Sequence, residues 1–462
     1  MSDAPKDTLM IGVSGMRGLV GSTLTPETVG RMAAAFAVWV KRRPAVSGRH
    51  HVVFGRDSRP SGGFVRDAAI AAVTASGIKV IDLGIVTTPA VALMVRHLSA
   101  DAGMIATASH NPIQWNGLKT LTSDAVALPP ADAAELRTLY DAAETGYVEV
   151  HDVVASENNT QTHARHVKAV EERMDVLGIS EARHKVVVDS VNGAGCVTSA
   201  TLMSHLGARL VHINDTPDGI FPHTPEPTAA NLTGLCEAVR RQKADVGFAQ
   251  DPDADRLAVV DENGTYIGEE YTLALCAMYQ LRKKPGTVVT NLSTSRMVDD
   301  VAAKYGGQVV RTPVGEANVI DKMLELGSTI GGEGNGGVID PRVVPGRDSL
   351  VGMAYILGLM TDTGQTISQL VAEIPSYAIV KAKLPLANKD DAQPVIDAVS
   401  EHFSEEHQNG EDGLRVDWPD GWVSVRPSNT EPILRIICEA PTEEAARARI
   451  AEVRKVAGVG ST

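Results

Sequence analysis

Three carboxylates at alternate positions, Asp251-Pro252-Asp253-Ala254-Asp255, followed at once by Arg256, are the densest chemistry in this 462-residue sequence. Proline discourages a helix there, and in an extended segment residues two apart point to one side. The three carboxylates can therefore converge on one hard cation while Arg256 stays free for a nearby anion. Ligands that offer only oxygen, beside a cation suited to phosphate, favour Mg2+ over zinc. A calcium EF-hand loop competes, because Glu262 stands where a twelfth ligand would be. Arg256 replaces the glycine that loop requires, and the flanks 246–249 and 257–260 read as strands, which argues against it. A phosphatase in which an aspartate of a strand-end Asp-x-Asp is itself phosphorylated stays open, as does a purely structural acidic turn.

Three further segments carry reactive or binding groups. Thr107-Ala108-Ser109-His110-Asn111-Pro112 follows the strand-like run 102–106 and ends in turn formers, so it can present the Ser109 hydroxyl to a cleft. A serine beside a histidine is not by itself a hydrolytic pair, since sequence neighbours seldom aim at one another, and a plain turn is the simpler reading of this segment alone. Arg426-Pro427-Ser428-Asn429-Thr430 joins two strand-like runs and offers a guanidinium fork, two hydroxyls, an amide and backbone donors. That set suits a phosphate dianion, although an Asx or Ser/Thr turn also explains it. Gly332-Glu333-Gly334-Asn335-Gly336-Gly337 fits the GxGxxG pattern, yet Val338-Ile339-Asp340-Pro341 reads as a strand and turn, where a dinucleotide fingerprint must open a helix. Its glycines instead allow backbone to approach a ligand, with Glu333 and Asn335 as hydroxyl partners; a tight structural turn is the alternative.

The elements that must position these segments repeat. Thr25-Pro26 starts a helix that stops before Pro44. The strand Val52-Val53-Phe54, a polar loop, a helix over 64–76, Gly77 and the strand 80–83 then form a βαβ unit. The same order returns from Val186 to Ile213 and from Val288 to Arg311, which predicts three related α/β domains. The last stretch alternates as a strand over 379–384, carries a helix from near Asp390, strands near 422–425 and 433–438, and a closing helix capped by Thr442. The expected division is 1–156, 157–261, 262–374 and 375–462: three βαβ-type domains and a smaller C-terminal α+β domain around a central cleft.

Composition bounds the partners. A formal net charge of -14 with no long basic run disfavours nucleic acid, and an anionic small molecule then needs cations gathered in a cleft. Cys196, Cys236, Cys276 and Cys438 are too dispersed for a zinc site and read as buried free thiols of a reducing cytosol. The start lacks a signal-peptide pattern, and the longest apolar run is about half the roughly 20 residues needed to cross a bilayer, so a cytoplasmic location and no membrane partner are expected.

Taken together and in this order, the four segments resemble those of the α-D-phosphohexomutase superfamily across essentially the whole chain. The resemblance implies that Ser109 is phosphorylated and that Asp251, Asp253 and Asp255 bind one Mg2+ together with it. It also implies that Glu333 and Asn335 bind sugar hydroxyls, and that Arg426, Ser428, Asn429 and Thr430 hold the phosphate that does not react. It marks Arg17 in Ser14-Gly15-Met16-Arg17-Gly18 and Lys119 in Asn116-Gly117-Leu118-Lys119 as active-site cations. Arg256 offsets charge on the transferring group, and Lys119 is the first choice for acid/base, with His110 and Arg17 as helpers. The implied activity interconverts hexose 6-phosphate and hexose 1-phosphate through a hexose bisphosphate, in a monomer or homodimer. The wording of residues 108–116 and 332–337 is most similar to phosphoglucosamine mutases, which points to glucosamine phosphate; glucose or mannose phosphate, or a sugar-phosphate phosphatase, are the alternatives. Many phosphomannomutases and phosphoglucomutases carry serine at the position of Asn335 and often histidine at that of Gly337, so this chain lacks one possible proton donor.

Overall fold

The computed structural model describes residues 9–13, 15–428 and 432–458. Local chemistry sets the element boundaries. The helix Pro26–Lys41 opens on proline, and its N-cap Thr25 exchanges side-chain bonds with Thr28, satisfying end donors that the helix itself cannot. Its face from Ala33 to Val40 is buried, in part against the helix Gly62–Ala75. That second helix stops as expected at Gly77, whose φ of +74° suits glycine.

Among the described residues the strands form four sheets. In the first, His51–Arg56 lies between parallel neighbours Lys79–Ile85 and Ala102–Ala106, and Trp115–Thr122 runs antiparallel beside the latter. Gly15–Leu19 and Met10–Gly12 extend that edge, and Glu157–Asn158 the other. The second sheet repeats the arrangement with Lys185–Asp189 between Arg209–Ile213 and Val246–Gln250, and Leu257–Val260 antiparallel to the last. The third repeats it again, with Thr287–Asn291 between Gln308–Thr312 and Ile330–Glu333, and Gly337–Asp340 antiparallel to the last. Three α/β domains thus share one strand order, in which the third strand turns back into an antiparallel fourth.

That reversal carries the candidate site residues. The turn between third and fourth strands holds Ser109 in the first domain, the three aspartates in the second, and Gly334 to Gly336 in the third. Each turn contains a left-handed residue: Ser109 at φ +51°, Ala254 at +56° and Gly336 at +83°. The fourth sheet is fully antiparallel, ordered Ala378–Pro385, Ile433–Ala440, Gly421–Pro427, Leu414–Trp418 and His407–Asn409.

One apolar cluster runs through the three α/β domains, from Val53 through Val186 and Phe248 to Leu357. The C-terminal domain has a separate core around Val416, Val425, Ile436 and Val453, and meets the third domain through polar contacts such as Arg296 to the Pro419 carbonyl (2.6 Å) and the Val314 N–H to Asp412 (2.9 Å). Two expected divisions fall inside pairings. The strand Glu157–Asn158, just after 156, still belongs to the first sheet, and the bridge between Val260 and Tyr266 carries the second domain past 261 because Asp261 closes a tight turn on the N–H groups of Asn263 and Thr265. None of the four cysteines is paired; three are buried and Cys236 is half-buried. No helix among the described residues is long and apolar enough to cross a membrane.

Candidate active site

Ser109 leaves the carboxyl end of the buried strand Ala102–Ala106 on a loop clamped from below. Arg59, just beyond the end of the neighbouring parallel strand and fully buried, donates to three carbonyls of that loop, Ser109 (2.7 Å), Asn111 (2.6 Å) and Pro112 (2.8 Å), and to that of Trp115 at the start of the next strand (3.1 Å). Asp57 orients Arg59 through its Nε at 3.1 Å and accepts the Thr107 hydroxyl at 2.7 Å, and Thr107 in turn accepts the Ser109 N–H at 2.9 Å. The serine hydroxyl points into the second domain, where it donates to Asp251 Oδ2 at 3.0 Å, with His110 Nδ1 at 3.4 Å.

The acidic turn is built so that its oxygens divide their duties. Asp251 Oδ1 accepts the N–H groups of Asp255 (3.1 Å) and Arg256 (3.2 Å). Asp253 Oδ2 accepts Lys119 Nζ and the Thr88 hydroxyl, each at 2.8 Å, and Asp255 Oδ2 accepts Arg347 at 2.5 Å. Asp253 Oδ1 and Asp255 Oδ1 are left buried without a hydrogen-bond partner. One oxygen of each aspartate lies within 4.8 Å of the others. Buried anionic oxygens are costly unless compensated, so two orphaned carboxylate oxygens in an all-oxygen set fit a hard divalent cation such as Mg2+.

Cations gather beside the turn: Arg17, Lys119 and Arg347 line, with Thr88 and Glu316 among others, a space of about 100 Å³. Arg17 lies on Gly15–Leu19, paired in register with Gly117, two residues from Lys119. The Nε groups of Arg17, Arg256 and Arg347 are buried without a hydrogen-bond partner, although Arg256 Nε lies 3.9 Å from Asp255 Oδ1 and Arg347 Nε 3.6 Å from Glu316. Burial opposes the charge of Lys119, but Asp253 and Asp255 outweigh it and hold the ammonium above its ordinary value. Burial, reinforced by Arg256, lowers His110 to about 4, so its imidazole is neutral at pH 7. Burial, then the neighbouring Asp255 and Asp253 charges, pushes the Asp251 carboxyl well above the usual range.

The third-domain turn reaches the same place. The Leu257 N–H, just beyond the acidic turn, donates to the Gly336 carbonyl at 3.0 Å. Glu333 is held between Asn291 Nδ2 (2.9 Å) and Arg347 (2.9 Å), with Asn335 Nδ2 at 3.4 Å. Ser109, His110, Lys119, Arg17, Arg256, the three aspartates, Glu333 and Asn335 therefore form one constellation. Arg426 is paired with Asp412 at 3.1 Å on the C-terminal hairpin, where the Ser428 N–H donates to the Ile433 carbonyl at 2.9 Å. Asn429 and Thr430 lie outside the described residues. Glu262 is not part of the acidic turn; it accepts from the Ser368 N–H at 3.2 Å, and the strands flanking the turn leave no EF-hand helices.

Sequence reasoning passed over Asp57, Arg59, Thr88 and Arg347. The first two had a signal, because polar residues at the carboxyl end of a parallel strand are where α/β sheets gather ligands. Thr88 had only its place at a helix start, and Arg347 had none, since its partners are 14 and 92 residues away.

Models of the phosphoglucomutase/phosphomannomutase family match along the chain: α/β/α domain I over 8–146, domain II over 164–264, domain III over 269–377 and the C-terminal domain over 381–456. A "Phosphoglucomutase/phosphomannomutase" of Thermococcus kodakarensis is 38% identical over 95% of this chain and 96% of its own. A "Probable phosphoglucosamine mutase" of Methanopyrus kandleri is 37% identical over 94% of this chain and 95% of its own. Among solved structures, a phosphoglucomutase/phosphomannomutase family protein of Burkholderia thailandensis superposes with a TM-score of 0.83 at 27% identity, covering 98% of this chain and 99% of that one. The chain belongs to the phosphoglucomutase/phosphomannomutase family of the α-D-phosphohexomutase superfamily and is a phosphohexomutase, an intramolecular phosphotransferase.

Proposed function

We propose that the chain interconverts hexose 6-phosphate and hexose 1-phosphate through phospho-Ser109, with glucosamine phosphate as substrate. The observation that carries this reading is the Ser109 hydroxyl, 3.0 Å from Asp251 in the acidic turn that also holds Lys119 through Asp253 and Arg347 through Asp255. In the first transfer the bond from phosphorus to Ser109 Oγ breaks and a bond to the free sugar hydroxyl forms, giving a hexose bisphosphate. The sugar turns round, Ser109 Oγ attacks its other phosphate, and the sugar oxygen leaves. Lys119, held as an ammonium, is our assignment for the acid/base, with His110 and Arg17 as helpers. In the first transfer it gives its proton to the leaving Ser109 oxygen and takes up that of the sugar hydroxyl, and the second transfer reverses the exchange, so the residue ends each cycle as it began.

Mg2+ held by Asp251, Asp253, Asp255 and the Ser109 side chain would offset charge on the transferring group. Arg256 adds to that from the protein, and Glu333 and Asn335 fix the sugar hydroxyls. Arg426, Ser428, Asn429 and Thr430 grip the phosphate that does not react. The separate core of the C-terminal domain supports its closing over the cleft to exclude water.

A phosphatase acting through Asp251 is disfavoured by the mutase family to which the chain belongs. The sugar preference rests on resemblance and on relatives named for phosphoglucosamine mutase; others carry the glucose and mannose name. A coupled assay comparing glucosamine, glucose and mannose phosphates, each primed with its bisphosphate, tests it. Label from phosphorylated substrate retained on Ser109 or sugar is expected, whereas stoichiometric release as inorganic phosphate refutes the mutase reading.

A further inference from the structure

Arg347 ends the last strand of the third sheet, Val344–Arg347, far in sequence from the groups it holds. One guanidinium nitrogen donates to Asp255 Oδ2 at 2.5 Å and the other to Glu333 Oε2 at 2.9 Å. Its backbone N–H donates to Glu316 at 2.8 Å, which fixes the root of the side chain. The planar fork therefore spans the metal-binding turn of the second domain and the sugar-facing turn of the third. A lysine, with one nitrogen, cannot hold both with the same rigidity. By engaging Oδ2 of Asp255 it leaves Oδ1 buried without a hydrogen bond, just as Lys119 and Thr88 do for Asp253; the Arg256 Nε is 3.9 Å from that Asp255 oxygen.

The neighbouring glycine belongs to the same device. Gly337 opens the strand Gly337–Asp340, and its φ lies outside the left-handed region that favours glycine. Its backbone would therefore accept a side chain; the space would not. A Cβ at 337 would stand 2.2 Å from Arg347 Cδ and 2.9 Å from Arg347 Cγ. The stem of Arg347 fills the room that a residue at 337 would use.

We propose that Arg347 is a positioning residue that locks the metal-binding and sugar-facing turns into one register, and that Gly337 lacks a side chain so that Arg347 can lie across it. The inference rests on the reading of Asp255 as a metal ligand and Glu333 as a sugar ligand. Because outer partners of metal ligands typically govern affinity by 10- to 100-fold, Arg347→Ala should weaken metal binding by about tenfold or more. It should raise the KM for sugar phosphate as well, since one side chain serves both turns.

The test titrates Mn2+ into the free enzyme by electron paramagnetic resonance and measures KM and kcat, for Arg347→Ala, Arg347→Lys, Gly337→Ala, the Gly337→Ala/Arg347→Ala pair and an Asp255→Asn control. Arg347→Lys keeps the charge in a folded chain, and intermediate losses of both metal affinity and KM are expected of it. Gly337→Ala should reproduce both losses by displacing Arg347, and the double variant should be no worse than Arg347→Ala alone. If Asp255→Asn weakens Mn2+ while the Arg347 variants bind it as the parent does, the inference is overturned and the metal site stands. Losses in Gly337→Ala that multiply with those of Arg347→Ala overturn the pairing of the two residues. If Asp255→Asn itself leaves Mn2+ binding unchanged, the reading beneath the inference fails first.

Discussion

Arg59→Met removes the clamp beneath Ser109 while keeping most of the side chain's volume. The arginine is fully buried and supplies donors to four carbonyls and to Asp57. Without it, Asp57 becomes a lone buried carboxylate; breaking a buried pair costs about 3–5 kcal/mol. Each carbonyl left without a donor adds about 1–3 kcal/mol where water cannot reach it. The loop lies at the cleft, so it relieves that cost by moving out to water, and the expected global loss stays near the ion-pair figure of about 3–5 kcal/mol. Against a typical stability of about 5–15 kcal/mol, the fold survives and the loop does not hold its pose. Ser109, at φ +51°, then loses the bonds that keep it in a sparsely populated conformation. A misplacement of about 1 Å at a reacting group costs on the order of a hundredfold, and kcat should fall by at least that much. Urea denaturation gives the stability loss, and hydrogen exchange over residues 107–115 reads the loop directly. Unchanged exchange there, with kcat within about threefold of the parent, would refute the clamp, since the hundredfold loss of misplacement is then absent.

Ser109→Ala should abolish mutase turnover while leaving the melting temperature and sugar-phosphate binding intact; residual turnover near the parent's contradicts its role. Asp253→Asn should raise the Mg2+ concentration for half-maximal activity and, by weakening the contact with Lys119 seen at 2.8 Å, lower kcat as well. Activity insensitive both to that change and to chelation counts against the acidic turn. Glu270 is pushed up to about 8, chiefly by burial, so the folded state prefers its neutral form. The unfolded carboxyl ionises near 4.3, so stability falls as pH rises from there to about 8 and levels off above. Glu270→Gln should remove that slope, gaining on the parent at pH 8.5 relative to pH 5 in urea midpoints; parallel pH curves would rule the explanation out.

What could be read in the sequence was whatever lay in one contiguous turn. Asp251 to Arg256 and Thr107 to Pro112 carry their chemistry in six residues each, and a turn keeps sequence neighbours together in space. The strand, helix and strand repeat was also visible, because apolar runs and terminal glycines survive without tertiary context. Arg59 and Arg347 were invisible for the opposite reason. Asp57-Ser58-Arg59 reads as a polar loop until the register of two parallel strands brings Ala106 beside Arg56 and puts Arg59 under Ser109. The strand Leu414–Trp418 went unassigned because Arg415 and Asp417 break its apolar character; in the fold they pair with one another at 2.7 Å and Arg415 bonds the Leu292 carbonyl. Gly337 likewise read as one of the glycines that let backbone approach a ligand, and the stem of Arg347 shows what occupies the room of its missing side chain.

The recurrence of one hairpin bend in three successive sheets separates shape from composition. A bend that leaves the framework at a sheet's end can change its residues without altering the strands that feed it. The first bend carries a hydroxyl, the second gathers carboxylates, and the third is mostly glycine. The alanine at the bend of the second sheet and the serine at that of the first tolerate a backbone shape that glycine adopts with ease in the third. The three bends thus have the sign of one torsion angle in common more plainly than any residue.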